Sequence, residues 1–290
     1  MTGTIGFIGL GLMGQGFTRR LIDCGHRVVG YDIDGGKIEV AAAFGVEAAT
    51  SAAEVAATAD IVLICVINTA AVEEVVAGPT GIVAAGRLDG KVLVDHSTTE
   101  IATTSRLAAL LEESTGMAFV DAPVSGGPDA ARDGSLAIMA GGPTAAIERI
   151  APVMNTLGRL THMGAVGAGQ ATKLVNQTIV LTNYCVLAEA LRLAQAHGVD
   201  ASRIPEALAG GPAGSNLLPV AFARMIDRDF APRGFARQVL KDLEMLQEDA
   251  RQHHLAMPMA SQALTLFRLL VSSGKSELDG TAVVTLFPEP

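Results

Sequence analysis

Tryptophan is absent from this 290-residue chain, and aromatic residues make up only 4% of it. No aromatic platform for stacking bases is therefore expected. Positive charge is also in deficit: 21 Lys and Arg stand against 30 Asp and Glu, a net charge of −9 with histidine neutral. That balance argues against a footprint for nucleic-acid phosphates. Cysteine is sparse. Cys24, Cys65 and Cys185 are odd in number and far apart, which excludes a disulfide scaffold and a CxxC-type metal site. Cys65 lies in an apolar run and reads as a buried hydrophobe. The histidines lack metal-ligand spacing, and the adjacent His253 and His254 suit a solvated helix end, so no metal is expected. Long apolar runs are missing too. Ile61 to Val72 and Leu174 to Ala188 are both too short to span a bilayer, and no basic segment precedes the first apolar residues. The expectation is a cytoplasmic protein with neither nucleic acid nor membrane as partner.

What is present is apolar substance. Hydrophobic residues make up 49% of the chain and charged residues 18%. That suffices for a large core, and the length suits about two domains. Over the first 160 residues short β-like runs alternate with helical patterns. TIGFIGL (4–10), RVVGY (27–31), IVLICVI (61–67), KVLVD (91–95), residues 117–121 and residues 135–140 read as strands. Helices are predicted from the glycine turn to near Cys24, with Gly25 as its C-cap, and over 144–157. Ser51 with Glu54, and Ser97 with Glu100, have the spacing of capping boxes. Such alternation implies a doubly wound, mostly parallel α/β sheet. From about Ala168 to His197 one long helix is predicted, apolar on most sides and so expected to be buried, stopped by Gly198. Only helical patterns follow, clearest over 237–252 and 258–271. The boundary is placed in the glycine-rich GRLTHMGAVGAG (158–169). This gives an α/β domain over 1–164 and an all-helical domain over 165–290.

Gly9, Gly11 and Gly14 spell G-x-G-x-x-G directly after the first strand, enclosing Leu12 and Met13. The first glycine permits a tight turn, the second lets backbone approach a pyrophosphate, and the third lets the helix pack on the sheet. Asp32 ends the second strand 18 residues past Gly14. A carboxylate there accepts hydrogen bonds from the adenine ribose and repels a 2′-phosphate. No Arg follows directly, so NAD is expected in preference to NADP. Asp34 reads as a solvated turn residue.

Three further segments stand out. DAPVSGG (121–127) follows a strand, and its Ser-Gly-Gly turn offers unobstructed backbone N–H groups and a hydroxyl, a plausible nest for a carboxylate. GAGQATKLVNQ (167–177) places Lys173 near the start of the long helix, with Asn176 three and Gln177 four residues later on the same face. A lysine among amides on an otherwise apolar helix is a usable acid/base. Lys241, in KDL, would by itself be a surface charge.

In this order and spacing, GFIGLGLMG, DAPVSGG, GAGQATKLVNQ and KDL resemble the β-hydroxyacid dehydrogenase family over nearly the whole chain. That family includes 3-hydroxyisobutyrate dehydrogenases and tartronate semialdehyde (2-hydroxy-3-oxopropionate) reductases. The resemblance implies a Rossmann domain and a helical domain with substrate between them, in dimers or tetramers. It implies Lys173 as the catalytic lysine, with Asn176 orienting the hydroxyl or the amine. Ser125, Gly126 and Gly127, with Gln177, would meet the substrate. Lys241 would close over substrate and cofactor, and Val66, Ile67, Asn68 and Thr98 would lie along the cofactor. The KLxNQ pattern is closer to the tartronate semialdehyde reductases. The activity implied is hydride transfer between NAD and a short β-hydroxy acid, such as 3-hydroxyisobutyrate, glycerate, serine or threonate. The rivals are an imine reductase or reductive aminase of the same fold, and a non-catalytic dinucleotide-binding module. Lys173 argues against both.

Overall fold

IVLI, the apolar centre of the predicted 61–67 run, is a strand with all four side chains buried, as a strand covered on both faces must be. The computed structural model describes residues 3–289. It divides into a unit ending at Lys173 and a unit beginning at Leu174.

The first unit runs β1 (Thr4–Ile8), α1 (Leu12–Asp23), β2 (Arg27–Tyr31), α2 (Gly35–Ala42), β3 (Glu47–Ala48), α3 (Ala52–Thr58), β4 (Ile61–Ile64), α4 (Thr69–Ala77), β5 (Val92–Asp95), α5 (Ile101–Thr115), β6 (Ala118–Asp121), β7 (Val124–Ser125), α6 (Gly127–Asp133), β8 (Leu136–Gly141), α7 (Thr144–Leu157) and β9 (Gly158–Gly164). The sheet order is β3-β2-β1-β4-β5-β6-β8-β7, with β9 also paired to β8. Strands β3 through β6 pair in parallel. β8 is antiparallel to β6 and β7 and parallel to β9. Side chains alternate between two cores. Ile5, Phe7, Leu63, Val92, Val94 and Val120 pack with Phe17 and Leu21 of α1 and Ile150 of α7. Ile8, Val62, Ile64, Leu93 and Phe119 pack on the other face with α3, α4 and α5. Each such side chain is worth about 1.5–3 kcal/mol when fully buried, so the period-2 pattern and two helical layers specify one another.

The second unit contains most of α8 (Ala168–Ala196), then α9 (Ile204–Leu208), α10 (Leu217–Asp227), α11 (Ala236–Gln252) and α12 (Pro258–Leu270). Its core gathers Leu181, Leu191, Phe222, Leu243 and Phe267. Asp279 organises the chain around the start of α11. Its carboxylate accepts the Arg233, Gly234 and Thr281 N–H groups and the Thr281 hydroxyl, and lies 3.0 Å from the Arg224 guanidinium. Burial pushes this carboxyl up, but the donors on Thr281 and Arg233, with Arg224, together hold it below the usual carboxylate range.

The structure departs from the sequence-based expectations at several points. The segment taken as the domain boundary includes β9, a seven-residue strand on the sheet. The division between units falls instead inside α8, after Lys173. Glycines at both ends of that segment had disguised a strand whose partner, β8, lies 22 residues upstream at Leu136. The helix α8 is not buried on most sides. Val175, Ile179, Val186 and Leu193 are 46–63% exposed. By length and composition alone this helix could also cross a membrane; its buried face carries Gln170, Lys173 and Gln177. Of the two capping boxes, Ser51 caps α3, but Glu54 turns to Thr50 rather than to Ser51. Ser97 caps no helix; its Oγ accepts the Val66 N–H. Cys65 is half-buried; Asp34 is exposed, as expected, and in addition caps α2 through the Gly36 N–H.

Removing the Asp279 carboxylate leaves three backbone donors unmatched and takes from the buried Arg224 one of its two carboxylate partners, Asp229 being the other. Asp279→Ala should lower stability by about 3–5 kcal/mol, measured by chemical denaturation of the full chain. A loss under 1 kcal/mol would refute this role.

Candidate active site

The sheet order reverses between β1 and β4, where an open α/β sheet forms its ligand crevice at the strands' carboxyl ends. The loop after β1 shows how glycine makes room there. Gly9 has φ +97°, and a Cβ on it would lie 2.3 Å from the Cys65 carbonyl oxygen. A Cβ on Gly14 would lie 2.0 Å from the Gly9 oxygen, whereas one on Gly11 would meet nothing within 4 Å. Two glycines therefore hold the turn shut against β4 and α1. The third, at the N-terminus of α1, leaves open space facing the helix's free N–H groups. A pyrophosphate fits that space by both room and charge. Leu12 is exposed at the first helical position, and Met13 packs against the core.

Asp32 is buried at the end of β2. One oxygen accepts the Leu10 N–H at 2.7 Å and the other the Asp34 N–H at 2.9 Å. The Lys37 ammonium stands 3.6 Å away, a cation that the absence of a neighbouring Arg did not suggest. Across the β1–β4 junction, Asn68 caps α4 through the Ala71 N–H. Val66 is tied to Ser97, Ile67 is exposed, and Thr98 is half-buried.

Asp95 and Asp121 end adjacent parallel strands and stand directly opposite each other in the register. Neither is exposed to solvent. Asp95 accepts the Ser97 N–H and the Thr99 hydroxyl. Asp121 accepts the N–H groups of Gly167 and Gln170, each at 2.8 Å. Gly167 has no side chain with which to cap α8, so Asp121 caps that helix from another strand. Gly169 allows the approach, since a Cβ there would sit 2.5 Å from the Asp121 carbonyl oxygen. Burial outweighs these donors and raises both carboxyls from the ordinary 3.8 to about 6; on Asp95 the Asp121 charge adds to the rise. His96, between them in sequence, stacks on Phe17 with centroids 4.8 Å apart and bonds the Ala122 carbonyl through Nδ1. Burial lowers it to about 4, so it is neutral.

The cap aims the first turns of α8. Lys173 is 8% exposed, and its Nζ donates to the Val124 carbonyl at 2.8 Å. Val124 immediately precedes Ser125, Gly126 (φ +134°) and Gly127 (φ +77°). The structure thus brings the predicted lysine to the predicted Ser-Gly-Gly turn. Three residues later Asn176 has a buried Oδ1 with no hydrogen-bond partner among the described residues, a polar atom that suits a ligand.

In the second unit, the Gln177 amide donates to Asp242 Oδ2, and the Lys241 ammonium lies 3.0 Å from Asp242 Oδ1. Asp242, the middle residue of KDL, is buried and had not been singled out. Neither had Asp95, Asp121 or Gln170 as site builders. Asp121 and Gln170 lay inside quoted motifs, but only the strand pairing shows that they meet.

A family model described as the NAD binding domain of 6-phosphogluconate dehydrogenase matches residues 4–180. One described as NAD-binding of NADP-dependent 3-hydroxyisobutyrate dehydrogenase matches residues 167–287. The 2-hydroxy-3-oxopropionate reductase of Escherichia coli is 38% identical over 97% of this chain and 95% of its own. The solved structure of Mycobacterium tuberculosis 3-hydroxyisobutyrate dehydrogenase with L-serine is 30% identical, with a TM-score of 0.85 over 99% of both chains. An imine reductase from Pseudomonas sp. is more distant, 19% identical with a TM-score of 0.66, a likeness of fold alone. The chain belongs to the β-hydroxyacid dehydrogenase family and is an oxidoreductase of that class.

Asp95 and Asp121 keep protons in the folded chain that the unfolded chain has already released. Their contribution to stability is therefore full below about pH 3.8 and falls as pH rises to about 6. In Asp95→Asn the Thr99 hydroxyl can turn to accept the new amide. Denaturation of wild type and variant from pH 3.5 to 8 should show their difference shifting in the variant's favour up to about pH 6, then levelling. A difference independent of pH would contradict the assignment.

Proposed function

We propose that the protein oxidises the C3 hydroxyl of a short β-hydroxy carboxylate, or reduces the matching oxo acid, with NAD as the cofactor. The observation that carries this reading is Lys173, buried and held on the Val124 carbonyl one residue before the Ser125–Gly127 turn. When bound, the nicotinamide supplies or accepts the hydride. In oxidation, the neutral Lys173 amine takes the hydroxyl proton as the hydride leaves C3. In reduction, its ammonium returns that proton to the carbonyl oxygen. Ser125, with the backbone of Gly126 and Gly127, holds the substrate carboxylate. Asn176 orients the reacting oxygen with its unpartnered Oδ1. Lys241, 3.0 Å from Asp242 within the second unit, is assigned to the substrate on the KDL resemblance alone. Gly11 and the N-terminus of α1 hold the pyrophosphate, and Asp32 takes the ribose hydroxyls with its remaining lone pairs.

The similarity to an enzyme described as 2-hydroxy-3-oxopropionate reductase, and to one solved with L-serine, supports three- and four-carbon acids as first substrates. A second copy of the chain is the proposed partner. Val175, Ile179, Val186 and Leu193 are exposed at intervals of four and seven residues. They form an apolar stripe on one face of α8.

Lys173→Ala should lower kcat by about 10²–10⁴-fold on the best acid from a panel of serine, 3-hydroxyisobutyrate, glycerate and threonate, while NADH affinity stays within about threefold. A variant with near-normal kcat would remove Lys173 from the chemistry. Cofactor choice is tested apart from turnover. Titrations at equal ionic strength should show NADH bound more tightly than NADPH, and Asp32→Ser should narrow the gap. Tighter NADPH binding by the wild type would reverse the reading.

A further inference from the structure

One side chain joins the two parts of the proposed site that must keep register. Gln170 is 1% exposed. Its Oε1 accepts the Thr99 N–H at 3.1 Å, and its Nε2 donates to the Ser97 carbonyl at 2.8 Å. The amide therefore grips the backbone on either side of Thr98. Its own backbone N–H is the second one capped by Asp121. The gripped loop is anchored again by Asp95, through the Ser97 N–H and the Thr99 hydroxyl, and Ser97 Oγ takes the Val66 N–H. One turn along α8 from Gln170 stands Lys173, on the Val124 carbonyl. From Ser97 to Lys173 the path runs through buried, hydrogen-bonded groups, and Val66 joins it at a half-buried end.

We propose that Gln170 is a positioning residue. It fixes the separation between Thr98, on the cofactor side, and Lys173, on the substrate side, and so sets how well hydride and proton transfer coincide. This rests on the roles assigned above to Lys173 and Thr98. A neutral amide is the required group, because the Ser97 carbonyl needs a donor and the Thr99 N–H needs an acceptor at the same planar terminus. A protonated glutamic acid meets both needs; an ionised one sets an oxygen against the Ser97 carbonyl. The titratable groups around that position are Asp121 and Asp95 on β6 and β5, His96 on the gripped loop and Lys173 on α8. The two aspartates oppose ionisation of a carboxyl there, and neutral His96 adds no charge.

The test uses Gln170→Glu and Gln170→Leu in the full-length protein. Relative to wild type, the Glu variant should keep most of its kcat at pH 6 and lose about tenfold by pH 8.5, as an unmatched buried acceptor pair implies. The KM for the hydroxy acid should change little. The Leu variant should be slow at every pH. Hydrogen exchange read by NMR, without substrate or cofactor, should show the Thr99 amide opening at least about tenfold faster in the Leu variant, with β1 and β4 amides unchanged. If the Leu variant does not fold, the pH-dependent ratio of the Glu variant decides. A Glu-to-wild-type ratio flat with pH, or a Leu variant within twofold of wild-type kcat, overturns the proposal. A wild type inactive across the hydroxy-acid panel overturns the functional reading instead, and the Thr99 exchange rate still reports whether the amide clamps the loop.

Discussion

Two carboxylates at the ends of neighbouring parallel strands, Asp95 and Asp121, govern where everything near the site can be. A buried carboxylate is costly unless donors surround it. Each of these recruits its donors from a different segment, Asp95 from the Ser97–Thr99 loop and Asp121 from the N-terminus of α8. The sheet register fixes the pair, so the loop and the helix are fixed relative to the sheet and hence to each other. A helix with glycine at its N-cap position has little local reason to start where α8 starts. The Asp121 carboxylate supplies that reason from 46 residues upstream.

Glycine completes the arrangement by allowing contact where any side chain would prevent it. Gly14 brings α1 against the β1 turn, and Gly169 brings α8 against β6. Gly11 does the opposite, leaving a gap in front of an uncapped helix end. The same residue type thus closes two contacts and opens one. Which role each plays follows from φ, burial and neighbours rather than from its identity.

Much of this was legible in the amino-acid order. Strands covered on both faces announce themselves by unbroken apolar runs; IVLICVI overran its strand by three residues and KVLVD by one. Gly9, Gly11, Gly14 and Asp32 carried a spacing tied to a backbone geometry, and Lys173 was conspicuous as a cation on an apolar helix. What stayed hidden depended on long-range pairing. β9 was obscured because its stability comes from β8 and not from its own glycine-bounded residues. Ser97 looked like a helix cap because its local spacing allows one, yet the Val66 N–H across the sheet claimed its hydroxyl. Asp121 and Gln170 lay in plain view inside motifs. Their meeting needed the strand order, which no local pattern encodes. The exposed face of α8 escaped notice for a related reason: apolar composition does not reveal which side of a helix the chain itself covers.

One tether on Lys173 is a peptide carbonyl, that of Val124, and this bears on reversibility. A carboxylate partner would bind the ammonium much more strongly than the amine, so the lysine would resist giving up its proton and would relax once neutral. The Val124 oxygen makes no such distinction in kind. A neutral primary amine still has two N–H bonds, and one can stay on that oxygen while the nitrogen lone pair faces outward. In the proposed role, then, the lysine need not swing between donor and acceptor positions. One posture serves the forward and the reverse reaction, so neither direction requires the lysine to be repositioned.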